Sequence, residues 1–116
     1  MKKESSLVLE DFLFPGEIII FQSGKVKTLK DHFDFYITDQ RILLYRRRGV
    51  VFKKDRIIAE RIEDIRTLHY DEKGIAKKKG VLRVETVSKK MEPIEGKVPD
   101  IKAIWQELQK HIKREE

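Results

Sequence analysis

The chain contains no cysteine, which excludes disulfide cross-links, thiolate metal sites and cysteine nucleophiles. No internal repeat or low-complexity tract is present. Long apolar runs are missing as well. The opening MKKESSLVLEDFLFPGE starts basic, but Glu10 and Asp11 interrupt its apolar residues, so it reads as neither a signal peptide nor a membrane span. A cytoplasmic location is the default expectation. Catalytic signatures are lacking too: there is no HExxH, P-loop, nucleophile elbow or dinucleotide fingerprint. His32, His69 and His111 fall in different elements without metal-ligand spacing. No enzyme activity, cofactor, metal or small-molecule substrate is expected.

What is present suits one modest domain. The 116 residues are 40% apolar and 40% charged, enough apolar content to build a single core. A net charge of +6 and a pI near 9.5 favour an acidic partner, whether membrane surface, protein or nucleic acid. The plainer reading of that charge is solubility.

Along the chain, residues 1–14 form an arm or short helix, closed by Pro15-Gly16, and the domain proper runs from 15 to 114. EIIIFQS reads as a strand, followed by a basic turn from Ser23-Gly24-Lys25 to Lys30. HFDFYIT alternates cleanly, placing Phe33, Phe35 and Ile37 on one face. If Asp39-Gln40 is the turn, Ile37 lies opposite Ile42 and Phe35 opposite Leu44, so ITDQRILLY is a hairpin with one apolar face. Arg46 would fall on that face, so the strand should end near Tyr45 and the arginines should belong to a loop. RIIAERI and IRTLHYDE read as strands separated by a bend at Glu63-Asp64. KGIAKKKG is a basic turn, VLRVETV a strand, and KKMEPI a short edge strand limited by Pro93. The period then changes: Ile101, Ile104, Trp105, Leu108 and Ile112 make one helical stripe, predicting an amphipathic helix over about 99–114.

FPGEIII, FYITDQRILLY, ERIEDIRTL and a closing helix with an inward Trp105 together resemble the bacterial and archaeal pleckstrin-homology (PH)-like domain family, and more distantly GRAM domains. The resemblance implies a mainly β fold: a small barrel of two near-orthogonal antiparallel sheets capped by the C-terminal amphipathic helix. It also implies a non-enzymatic scaffold whose loops or edges bind. Phosphoinositide-binding members of the wider superfold carry basic residues at the end of the first strand and at alternate positions of the second. Lys25 and Lys27 fit the first position, but the second strand offers His32, Asp34 and Tyr36, without Lys or Arg.

The candidate site is a basic rim. In a simple meander, loops after odd-numbered strands share one end. This would bring together Lys25, Lys27 and Lys30, then Arg46, Arg47 and Arg48 with Lys53 and Lys54, then Lys73, Lys77, Lys78 and Lys79. Such focusing would attract a phosphate-bearing membrane surface or an acidic protein, placing the chain in the cytoplasm or peripherally at a membrane. Nucleic acid is the weaker alternative, because Phe21, Tyr36, Tyr45 and Tyr70 are better explained by barrel packing than by base stacking. Thr38, Asp39 and Arg41 read as a structural turn at the other end, with Arg41 pairing Asp39 or a neighbouring acid. Outer-face Ile19, Phe21, Leu43 and Tyr45, with Leu7, Leu9, Phe12, Leu13 and Phe14 of the arm, exceed what a lone small barrel needs. Either the arm packs on the barrel or a homo-oligomer uses that surface.

Overall fold

The computed structural model describes residues 9–46 and 56–112. Its centre is the hairpin that the alternating pattern demands. β2 (Asp31–Thr38) pairs antiparallel with β3 (Arg41–Arg46), with Ile37 opposite Ile42 and Phe35 opposite Leu44. All four side chains are fully buried, as is Phe33. A slip of one residue would turn all of them toward water, so burial fixes the register.

β1 (Ile19–Thr28) is longer than expected, because Ser23-Gly24-Lys25 does not turn. The strand continues through this stretch, with register shifts against β2 at Ile19/Phe21 and at Gln22/Lys25. The extra residues of such bulges are absorbed by bending and twisting the strand. The first bulge moves Phe21 opposite Ile37, so it packs against the core instead of on the outer face.

β4 (Arg56–Arg61) pairs with β3, and a 3-10 turn at Ile62–Asp64 leads into β5 (Ile65–Lys73). β6 (Lys79–Thr86), β7 (Ile94–Lys97) and α1 (Val98–His111) complete the fold. Lys89-Lys90-Met91 is a connection carrying one isolated bridge, Glu85 to Lys90, and the strand begins only after Pro93.

The strands form one curled sheet in the order β4-β3-β2-β1-β7-β6-β5, every pair antiparallel. Its two halves, β1–β4 and β5–β7, are joined at a narrow seam whose one registered pair is Lys27 with Glu95. β4 and β5 are the two edges and do not pair, so the up–down alternation breaks at the 3-10 corner between them. β1, β3 and β6 consequently run one way, and β2, β4, β5 and β7 the other. The β1–β2, β3–β4 and β6–β7 connections leave from one end of the sheet. The β2–β3 and β5–β6 connections leave from the opposite end.

The helix closes the barrel with Ile101, Ile104 and Leu108 fully buried, while Trp105 and Ile112 pack at the margin of the core. Trp105 stacks on Tyr70, with ring centroids 5.5 Å apart. Gly80 and Gly96 face each other across β6 and β7 directly beneath Ile101. A Cβ at Gly80 would lie 2.8 Å from the Ile101 Cβ, so the pair of glycines is what allows the helix to approach this closely. On the opposite face of the sheet, Leu43 and Tyr45 are also buried. The arm covers that side: Leu9 is buried, and the Phe12 ring centroid lies 6.2 Å from that of Tyr45.

Candidate functional site

Strand direction gathers one group of basic residues at the β1–β2 end of the sheet. The β1–β2 turn is two residues long, closed by Thr28 opposite Asp31. Leu29 and Lys30 both have left-handed backbone, with φ of 53° and 63°. A hairpin turn of this kind prefers Asn-Gly, because a Cβ is strained at positive φ. Here the strained positions present an exposed leucine beside an exposed lysine. Lys30 has no ion-pair partner among the described residues.

Arg46 ends β3 and pairs with Asp31 at 3.1 Å. Arg56 begins β4 directly opposite Arg46, with its guanidinium 5.7 Å from the Phe33 ring centroid. Arg47, Arg48, Lys53 and Lys54 lie outside the described residues. The β6–β7 connection adds Lys89, which contacts Glu60 at 2.7 Å, and Lys90, which lies 3.7 Å from Glu85. Sequence pattern alone assigns KKM to a strand and so misses these two; Ser88, a turn-forming residue just before them, is the signal available. Thr86 does close a local turn, accepting from the Lys89 N–H at 3.3 Å.

Lys25 and Lys27 sit on the outer face of β1. Lys25 pairs with Asp34 at 2.9 Å, and Lys27 lies opposite both His32 and Glu95. A hollow of about 610 Å³ runs from Lys27 and Lys30 to Glu92 and Glu95, with Lys73 reaching in to contact Glu95 at 2.7 Å. Lys77, Lys78 and Lys79 do not join the rim. They belong to the β5–β6 connection and the start of β6, which leave the sheet in the direction opposite to the β1–β2 turn. The broken alternation at the 3-10 corner is the reason. Lys79 instead lies between Lys73 and Lys97 on neighbouring strands, three lysines in register.

The opposite end handles charge differently. The Glu17 side chain is fully buried and the Arg41 side chain is 11% exposed. Glu17 Oε1 accepts from Arg41 Nη2 and from the Phe14 N–H, both at 2.8 Å. Its Oε2 accepts from Arg41 Nε at 2.9 Å and from the Thr38 hydroxyl at 2.6 Å. The fork of Arg41 thus holds the carboxylate bidentately. Thr38 Oγ1 accepts in turn from the N–H groups of Gln40 and Arg41, and the Arg41 guanidinium lies 3.8 Å from the Phe14 ring centroid. The Arg41 hydrogen bond, then Thr38 and the Phe14 N–H, outweigh burial and hold the Glu17 carboxyl at about 2. Arg41 therefore pairs with Glu17 and not with Asp39, whose carboxylate accepts from the Ile18 N–H at 3.1 Å.

The aromatic side chains are occupied by packing. Tyr45 is buried, Phe21 lies on the core, and Tyr70 stacks on Trp105. Burial and a hydrogen bond to Glu72 push the Tyr70 hydroxyl up to about 12, so it stays protonated. Among the described residues, no group of three or more His, Asp or Glu side chains is placed to hold a metal. None of their helices is long and apolar enough to cross a membrane.

No family model and no curated protein matches this chain. A solved structure does: the pleckstrin homology domain from Shewanella amazonensis SB2B, with a TM-score of 0.65 over 93% of this chain and 95% of that one, at 18% identity. At that identity the likeness establishes the fold alone, which is PH-like: a curled antiparallel half-barrel closed by a C-terminal helix.

Proposed function

We propose that the chain is a non-enzymatic PH-like binding module that docks peripherally on an anionic, phosphate-bearing membrane surface through the β1–β2 end of its barrel. The observation that carries this reading is the tip of the β1–β2 hairpin. An exposed leucine, and a lysine with no ion-pair partner among the described residues, occupy strained left-handed backbone there, beside Arg46, Arg56, Lys89 and Lys90. Strain held at an exposed position is a recurrent mark of a working surface. An acidic protein would use the charge but has no need of a projecting leucine. A lipid surface uses both.

Each basic residue near an anionic leaflet contributes about 1 kcal/mol, and burying a leucine side chain adds about 2 kcal/mol. Binding is therefore reversible, and it weakens as salt shortens the screening length to about 10 Å at 0.1 M. Flotation with neutral and anionic vesicles over a salt series tests the reading. Recovery with anionic vesicles alone, declining with salt, is expected. No flotation at low salt overturns it and returns attention to acidic proteins. Equal affinity for single-stranded nucleic acid, with a steep salt slope, would favour a general polyanion binder.

A further inference from the structure

The sheet has two unpaired edges, and they are not equally open. Beside β4, Lys89 of the β6–β7 connection contacts Glu60, and residues 89–92 border one hollow with Ile58 and Glu60. β5 pairs with β6 on one side and carries α1 on its core face, and its other side has no strand partner among the described residues. No proline interrupts it. A strand edge of this length offers a row of backbone donors and acceptors to another strand.

The side chains along β5 say which strand fits. Laid antiparallel to itself about His69, the edge complements its own sequence. Leu68 then faces Tyr70 of a second copy, Thr67 faces its Asp71, and Arg66 faces its Glu72. Apolar meets aromatic, hydroxyl meets carboxylate and cation meets anion. Moving the axis to Tyr70 keeps the faces aligned but sets Leu68 against Glu72 and Thr67 against Lys73. The local geometry favours the first register. A bulge between Ile65 and Thr67 lifts Arg66 out of the β5–β6 ladder, and Arg66 has no ion-pair partner among the described residues. Glu72 is exposed, touched by the Tyr70 hydroxyl at 2.9 Å and by Lys102 at 3.8 Å.

We infer that the β5 edge is a self-association surface, on which two copies pair about a two-fold axis at His69 and join their sheets. Arg66 and Glu72 of opposite copies close the two ends of the ladder. The ladder proper, Thr67 to Asp71 in each copy, buries less than the roughly 1,200–2,000 Å² of standard stable interfaces. Association is accordingly weak and concentration-dependent. It does not rely on the basic end of the barrel.

The lack of cysteine makes the axis directly measurable. Residues paired across an antiparallel ladder have Cα atoms about 4.5–5.5 Å apart, within disulfide range. His69→Cys should therefore cross-link two copies under mild oxidation. Thr67→Cys, about 13 Å from its own copy in this register, should not. Sedimentation velocity over a concentration series should show a monomer–dimer equilibrium. Arg66→Glu should weaken it about tenfold, and the swap Arg66→Glu/Glu72→Arg should restore it. A monomer at every concentration overturns the inference and leaves the edge to a different strand. So does Thr67→Cys cross-linking as fast as His69→Cys, or a charge reversal without effect. Circular dichroism melts of each variant show that these results come from folded protein.

Discussion

The two ends of the barrel use the same chemical groups to opposite ends. At the β2–β3 end, a carboxylate and a guanidinium are withdrawn from water, and four donors satisfy Glu17. At the β1–β2 end, Arg46 with Asp31 and Lys90 with Glu85 meet in solvent, and Lys30 has no partner among the described residues. Burial decides which role charge plays. A paired charge in the interior is costly to disrupt, while a solvated pair contributes little to stability and stays available to a ligand.

The difference is broken most severely at Arg41. Replacing Arg41 with Met strands a buried carboxylate and should cost about 3–5 kcal/mol in urea denaturation. Acid acts on the same group. The Glu17 carboxyl is depressed from 4.5 to about 2 in the folded state, so its contribution is complete above about pH 4.5 and disappears as pH falls toward 2. That contribution is about 3 kcal/mol by linkage. Glu17→Gln should flatten the stability–pH curve of the folded protein over this window and leave its slope above pH 5 unchanged.

Gly80→Ala tests the close packing at the helix-bearing end. Its Cβ would press on the Cβ and both γ-carbons of Ile101, and a loss of about 1–3 kcal/mol is expected in urea denaturation, not recovered by Ile101→Val, which keeps all three carbons. At the basic end the sign reverses. Replacing Leu29-Lys30 with Asn-Gly relieves two left-handed side-chain-bearing residues and should stabilise the fold by about 1 kcal/mol while weakening vesicle binding. Lys30→Glu alone should change stability by less than about 0.5 kcal/mol, read from the urea midpoint.

Local patterns were legible in the sequence, and long-range ones were not. The β2–β3 register followed from alternation alone, because only one pairing buries Phe35, Ile37, Ile42 and Leu44 together. The helical stripe from Ile101 to Leu108 was equally plain. The turn at Thr38 and Arg41 was recognisable as structural, yet its acid is Glu17, 24 residues away, and a local reading points to Asp39 instead. Gly24 looked like a turn, but bulges carry β1 through it. The basic rim was half legible. Lys30 and Arg46 converge as expected from strand count, whereas the 3-10 corner makes the connection carrying Lys77, Lys78 and Lys79 leave in the opposite direction and the β6–β7 connection supplies Lys89 and Lys90. Counting strands assumes that each pairs with the next, and β4 and β5 do not.

The most direct test of the account sets equal charge changes at the two ends against each other. One variant carries Lys30→Glu, Arg46→Glu and Lys90→Glu; the other carries Lys77→Glu, Lys78→Glu and Lys79→Glu. Both have the same net charge, and both are floated with anionic vesicles at low salt. Loss of binding in the first and retention in the second is the predicted result. Equal loss in both would mean that total charge, and not the end of the barrel, governs the interaction, and would contradict the division of labour between the two ends.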